Sequence, residues 1–144
     1  MAARPQAGRR KRTVLRKVAF IGDYPPRQCG IATFTEDLYE TLAAEHPEIG
    51  CFVVAVSDRS GGYRYPPRVR FEFPEQDLAS YRRAADFLNI NDVDLVCLQH
   101  EHSIYGGQEG GYLLVMLVLH GLHILPLFYS KRSHKILTYS NIMF

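Results

Sequence analysis

Three cysteines, Cys29, Cys51 and Cys97, are odd in number, and no two stand as Cys-x-x-Cys. A disulfide framework and a zinc ribbon are therefore not indicated. The chain has neither a G-x-G-x-x-G run nor a G-x-x-x-x-G-K-[ST] run, so the dinucleotide fingerprint and the P-loop lack support. It has no acidic cluster of the kind that holds Mg²⁺ and no phosphate-type Ser/Thr loop, which ranks a response or flavin domain of similar topology last. Long apolar runs are also scarce. The first, beginning at Val18, covers about five residues, short of the roughly 7–15 of a secretory signal, so a cytoplasmic location is the expectation. Tyr112 to Phe128 is more apolar, at the low limit of roughly 17 residues for a membrane span. It holds His120, Gly121, His123 and Pro126, and reads better as a buried helix followed by a strand. No internal repeat is visible.

Acid is missing from the start of the chain. Arg4, Arg9, Arg10, Lys11, Arg12, Arg16 and Lys17 precede Val18, and the first acid is Asp23. Of 17 basic residues seven lie there, leaving ten against 15 acids, a net charge of −5 on the remainder while the whole carries +2. Residues 1–16 read as a disordered basic tail. It could touch nucleic acid or anionic lipid, but a solvated terminus is the plainer reading. No aromatic residues interleave the charges, so base stacking is not expected there. The acidic balance of the body counts against specific nucleic-acid binding. A length of 144 residues and 47% hydrophobic content fit one soluble domain with a modest core.

The stretch from Lys17 to Ala44 organises the rest. Val18-Ala19-Phe20-Ile21 is a short apolar run closed by Gly22. A polar loop from Asp23 to Cys29 follows, stiffened by Pro25-Pro26 and carrying Arg27 and Gln28. From Gly30, Ile31, Phe34, Leu38 and Leu42 recur at helical spacing on one face. A buried parallel strand, a turn and a helix lying back on the sheet fit this pattern. Loops after the carboxyl end of a parallel strand are where open α/β sheets bind ligands. A helix N-terminus offers unpaired N–H groups and the positive end of its dipole. Gly30 has no Cβ to keep a ligand off the backbone. The turn therefore suits an anionic or sugar-phosphate group, with a plain connection as the alternative. Cys29 lies in this loop without an obvious base beside it in sequence, so burial is favoured over a nucleophilic role. Cys51 and Cys97 read as core.

Further along, Cys51 to Val56 is a second buried strand and Ser57 to Pro67 a Gly-, Pro- and Tyr-rich loop. Val69 to Phe73 alternates as a half-buried or edge strand between prolines. Leu78 to Leu88 is a helix capped by Asp77, with Leu78, Tyr81, Ala85 and Leu88 facing inward and Arg82, Arg83 and Asp86 outward. Leu95 to Leu98 is a third apolar strand, central in the sheet. It ends in the polar tip Gln99-His100-Glu101-His102. A glycine loop through Gly106-Gly107 and Gly110-Gly111 leads to a helix at Tyr112 to Leu119 and to a strand at Ile124 to Phe128. This alternation predicts an α/β fold, a Rossmann-like parallel sheet with helices on both faces.

His100 and His102 share a strand face and could ligate a metal with Glu101 or Cys97, but a third convincing ligand is lacking and no metal is expected. Hydrogen bonding of sugar hydroxyls by Gln99, His100 and Glu101 is the better reading, with a simple polar loop as the alternative. Both segments follow strands of one sheet, so they should line one crevice.

On these residues the chain resembles the N-terminal domain of family 4 glycosyltransferases, retaining enzymes with the two-domain GT-B fold. The carrying segments are Val18 through Phe34, with its Tyr24-Pro25-Pro26-Arg27-Gln28-Cys29-Gly30-Ile31-Ala32-Thr33-Phe34 run, Tyr81 to Asn89, Val93 to Glu101, and Ile104-Tyr105-Gly106-Gly107. The resemblance covers roughly Arg16 to Leu117 and assigns 17–128 to a Rossmann-like half. It implies hexosyl transfer from a nucleotide-sugar to a sugar or glycan acceptor, with no cofactor beyond that co-substrate. The N-terminal half binds the acceptor, and the donor is bound only if a second domain is supplied. It also implies substrate contacts from Gly22, Arg27, Gln28, Gly30, Ile31, Gln99, His100, Glu101, Gly106 and Gly107. Gly30 and Ile31 offer amides to phosphate. No catalytic residue is assigned.

Two departures stand out. The donor-binding domain is absent from these residues, and with it the cations that stabilise a leaving diphosphate. After about Leu117 the sequence leaves the family pattern. A strand ending in a Thr/His-rich cleft segment is expected; Leu122 through Arg132 stands there instead, which marks 129–144 as a divergent tail of a truncated or frame-altered product. The chain is thus expected to be inactive alone. The alternative is a non-catalytic sugar-phosphate-binding or partner-docking module.

Overall fold

The computed structural model describes residues 14–101, 103–119, 124–130 and 135–138, the last two segments as strand backbone. Six strands, β1 (Lys17–Gly22), β2 (Gly50–Ser57), β3 (Val69–Pro74), β4 (Leu95–His100), β5 (Ile124–Ser130) and β6 (Lys135–Thr138), form one sheet in the order β3-β2-β1-β4-β5-β6. All neighbours run parallel except β5 and β6. Among the described residues three α-helices cross it: α1 (Gly30–Glu45), α2 (Leu78–Ile90) and α3 (Leu113–Leu119). The expected α/β, Rossmann-like architecture is what forms.

The apolar runs explain the sheet. β1 is paired on both sides, so both of its faces must be covered. Val18 and Phe20 pack with Leu38, Tyr39 and Leu42 of α1, while Ala19 and Ile21 pack with Tyr81, Ala84, Ala85 and Leu88 of α2 and Leu113 and Met116 of α3. Helices therefore lie on both faces. Asp94 fixes the start of β1 by accepting from the backbone N–H groups of Arg16 and Lys17 at 2.8 and 2.9 Å. The alternating Val69–Phe73 segment is indeed the edge strand.

Some details differ from expectation. Leu78 is 45% exposed, because it opens α2 directly after the Asp77 cap and points away from the sheet. Ile31 joins the α2–α3 side of the core rather than the cluster that holds Leu38 and Leu42, so the first turn of α1 closes over the strand ends. The sheet also runs past Phe128: β5 reaches Ser130, and β6 adds an antiparallel edge from within 129–144. Residues 1–13, the bulk of the basic tail, and His102 lie outside the described residues. No helix among the described residues is long and apolar enough to cross a membrane.

Candidate functional site

The strand order reverses beside β1. The chain leaves β1 for β2 on one side, and β4 arrives on the other. Ile21 is in register with Leu98, so the loop after β1 and the tip of β4 emerge side by side at the carboxyl edge. A crevice at such a switch point is the general ligand position in open α/β sheets. The two segments expected to share a pocket do share one end of the sheet.

An acid follows each of the first four strands directly: Asp23 after β1, Asp58 after β2, Glu75 after β3 and Glu101 after β4. Parallel pairing lines up these first loop positions along one edge. Arg27 gathers three of them. Its Nη1 lies 2.9 Å from Oδ1 of Asp23 and 3.6 Å from Oε2 of Glu75, and its Nε lies 3.8 Å from Oδ2 of Asp58. Its side chain is 17% exposed, so its charge is already compensated where it sits. The loop that carries it contains a cis peptide bond between Pro25 and Pro26.

Asp23 is 2% exposed. Burial raises its pKa to about 6, against the pull of Arg27 and the Cys29 hydrogen bond, and Glu75 and Asp58 raise it further. Cys29 donates its thiol to Oδ2 of Asp23 at 3.2 Å, and its sulfur accepts from the Ala32 N–H at 3.4 Å. It is the N-cap of α1, a position usually held by Ser, Thr, Asp or Asn. Burial raises its thiol pKa, as does the hydrogen bond to Asp23. A thiol with raised pKa is a poor nucleophile at neutral pH, so the structure gives Cys29 a capping role.

Gly30 opens α1, and a Cβ placed on it would meet no atom within 4 Å. Of the first N–H groups of α1, that of Ala32 is taken by the Cys29 sulfur and that of Thr33 by the Cys29 carbonyl. Pro26, Arg27, Gln28 and Cys29 on one side and Asp58, Arg59 and Tyr63 on the other line a polar cavity of about 670 Å³. Tyr63 donates its hydroxyl to Oδ1 of Asp58 at 2.7 Å, which holds that carboxyl below its usual range. The Arg59 guanidinium stacks 4.6 Å from the centre of the Tyr63 ring.

At the tip of β4 the residues divide. Gln99 is 0% exposed. It shares the α1 side of the sheet with Cys97, two residues earlier, and its Nε2 points to Sγ of Cys97 at 3.4 Å. Its Oε1 finds no hydrogen-bond partner among the described residues. The side chain expected to meet a sugar hydroxyl is thus turned inward, toward Cys97. A Cβ on Gly22 would stand 2.9 Å from that of Gln99, so this glycine is also required by packing. His100 and Glu101 are half-buried at the edge, with the His100 ring stacked 5.8 Å from Tyr105. Tyr105 is wholly buried and donates to the Gln99 carbonyl at 2.6 Å.

Gly106 and Gly107 have structural reasons of their own. A Cβ on Gly106 would lie 1.9 Å from the Glu75 carbonyl oxygen, and Gly107 adopts φ +79°. Tyr81 joins the two loops: its hydroxyl donates to the Glu75 carbonyl and accepts from the Gly106 N–H, both at 2.8 Å. The glycine loop is thus brought against the Glu75 end of the rim. Asp23, Asp58, Glu75, Arg59 and Tyr63 escaped the sequence reading. The available signal was positional, an acid as the first residue past each strand. Among the described residues no three His, Cys, Asp or Glu side chains group as metal ligands.

No family model matches the chain, and no curated protein matches it. Among solved structures it is similar to an alpha-glucosyltransferase in complex with UDP and a 13-mer DNA containing a central A:G mismatch. The identity is 13% and the TM-score 0.52, over 79% of this chain and 30% of that one. It is equally similar to an alpha-glucosyltransferase in complex with UDP and a 13-mer DNA containing a HMU base, at 13% identity and TM-score 0.53, over 81% of this chain and 31% of the other. The chain thus spans less than a third of the length of those enzymes. At this identity the likeness concerns the fold alone: a Rossmann-like α/β sheet similar to one in those GT-B-like glucosyltransferases.

Proposed function

We propose that this chain is the acceptor-binding half of a retaining, family 4-like glycosyltransferase that moves a hexosyl group from a nucleotide-sugar to a sugar or glycan hydroxyl. The observation that carries this reading is the adjacency of the β1 loop and the β4 tip at the point where strand order reverses. The likeness to glucosyltransferases bound to UDP supports it. In such a transfer the bond from the sugar's anomeric carbon to the diphosphate breaks, the acceptor oxygen forms the new one, and the acceptor's proton passes to the leaving diphosphate. The diphosphate leaves with negative charge that must be stabilised. Four strand-end acids with Arg27 already engaged are poorly suited to that task, so the cations belong to a donor-binding half. The acids suit hydroxyls, which carboxylates accept well. Within this reading His100, Glu101, Gln28 and the Gly30–Ile31 amides face the substrates, and Arg27 holds their loop.

The test has two parts. The chain alone, incubated with a panel of nucleotide-sugars and simple sugars, is expected to give no transfer; robust turnover would overturn the claim that a second half is needed. Simple sugars are expected to shift the backbone amide resonances of Gly30, Ile31, His100 and Glu101. No shift at saturating sugar would overturn the acceptor-binding reading.

A second reading, a partner-docking module, is favoured by one observation. Leu78, Ile90, Leu114, Val118 and Leu119 are exposed on α2 and α3, with Val118 at 81%. Exposed apolar surface of this kind drives association. A monodisperse monomer at high concentration would count against it.

A further inference from the structure

We propose that the cavity between the start of α1 and the β2–β3 loop takes an uncharged, hydroxylated sugar ring rather than a phosphorylated one, with Asp58, Arg59, Gln28 and Tyr63 as its contacts. This rests on the acceptor-binding reading above and specifies its substrate class.

The lining combines three things a sugar ring requires. Gln28 supplies an amide with donors and an acceptor, Asp58 supplies carboxylate lone pairs, and Arg59 supplies N–H donors. Arg59 forms no ion pair within 4 Å among the described residues; its guanidinium is held by stacking on Tyr63. The Tyr63 ring and exposed Pro26 give apolar walls for the C–H face of a ring. A volume of about 670 Å³ exceeds that of one hexose and leaves room for a glycan's second unit.

Charge decides between a neutral ring and a phosphate ester. Arg27 and Arg59 are the cations of the cavity. Asp58 lines it, and Asp23 and Glu75 stand behind Arg27 within 2.9 and 3.6 Å. Two guanidinium groups thus meet three carboxyl groups, and Arg27 is already shared among all three. A phosphate needs uncompensated cations. Here it would find one, Arg59, next in sequence to the Asp58 carboxylate. A hydroxyl group meets no such repulsion.

Titration of the chain at pH 7 with D-glucose, D-mannose and maltose, and with glucose 6-phosphate and mannose 6-phosphate, followed by amide and side-chain NMR, tests this. The neutral sugars are expected to shift Gln28, Asp58, Arg59 and Tyr63, with the phosphates at least fivefold weaker. Arg59→Gln and Tyr63→Ala are expected to weaken neutral-sugar binding at least fivefold, and Tyr63→Phe, which keeps the ring, to weaken it less. Asp58→Asn is expected to narrow the gap between neutral and phosphorylated sugars. Phosphates that bind as tightly as neutral sugars at these residues would overturn the proposal. So would sugars that shift His100 and Glu101 but leave Arg59 and Tyr63 unmoved, and that outcome would leave the acceptor-binding reading standing. Sugars that shift neither set would overturn both.

Discussion

Gly22 of β1 and Gln99 of β4 stand so close that a Cβ on the glycine would lie 2.9 Å from the Cβ of the glutamine and 3.2 Å from Oγ1 of Thr35. This contact seals the sheet beneath α1, where the candidate site begins. Gly22→Ala is expected to destabilise the chain by about 1–3 kcal/mol, the usual penalty for overpacking a tight interior. Urea denaturation measures it. In the same chain Gln99→Gly should recover part of the loss, giving a non-additive cycle. Additive losses would show that the two residues do not compete for this space.

The cap of α1 can be examined by substitution. Serine can accept the Ala32 N–H as the Cys29 sulfur does; alanine cannot. Cys29→Ala is expected to cost about 1 kcal/mol, and Cys29→Ser less than half of that. The thiol, raised in pKa by burial, should alkylate more slowly with iodoacetamide at pH 8 than a free cysteine. Rapid alkylation would contradict the geometry assigned to it.

Asp23 links stability to pH. Its folded-state pKa, about 6, lies above the unfolded value of 3.8. Folding therefore takes up a proton between those values. The contribution is fully present below about pH 4 and is lost as pH rises through about 6. The rise from 3.8 to about 6 corresponds to about 3 kcal/mol. Asp23→Asn removes this titration. The stability of the natural chain minus that of the variant should fall between pH 4 and 7, as read by urea melts at each pH. A difference that stays level across that range would mean that the carboxyl is not held in a low-dielectric setting.

The Tyr81 hydroxyl satisfies two backbone groups of different loops, at Glu75 and Gly106. Tyr81→Phe leaves both without their partner in a buried place, at an expected cost of about 2 kcal/mol. The amide of Gly106 should then exchange with deuterium faster. Unchanged exchange would place the joint elsewhere.

β1, β2 and β4 were readable because each is a run of apolar residues covered on both faces, β3 because it alternates between prolines, and α2 because Asp77 caps a well-spaced pattern. Leu78 was misplaced because helical spacing does not say where a face begins when the first turn still projects past the sheet. The burial of Gln99 was hidden for a related reason. A polar residue near a strand end suggests an exposed tip, yet the face it shares with Cys97 turned it inward. The Arg27 cluster was not legible as a cluster, since its acids lie at positions 23, 58 and 75 and only the lateral order of the strands brings them together. The Cys29 cap was hidden by residue type, since cysteine is not among the usual capping residues.

The central place of β1 has a consequence for how the chain is made. Lys17 is tied to Asp94, 77 positions later, and β1 is walled on its far side by β4. A chain emerging from the ribosome therefore carries its first strand half-paired until the fourth has been synthesised. Such long-range closure slows folding and leaves a sticky edge open meanwhile. A chaperone that shields Val18 to Ile21 during synthesis should raise the soluble yield more than one added after release.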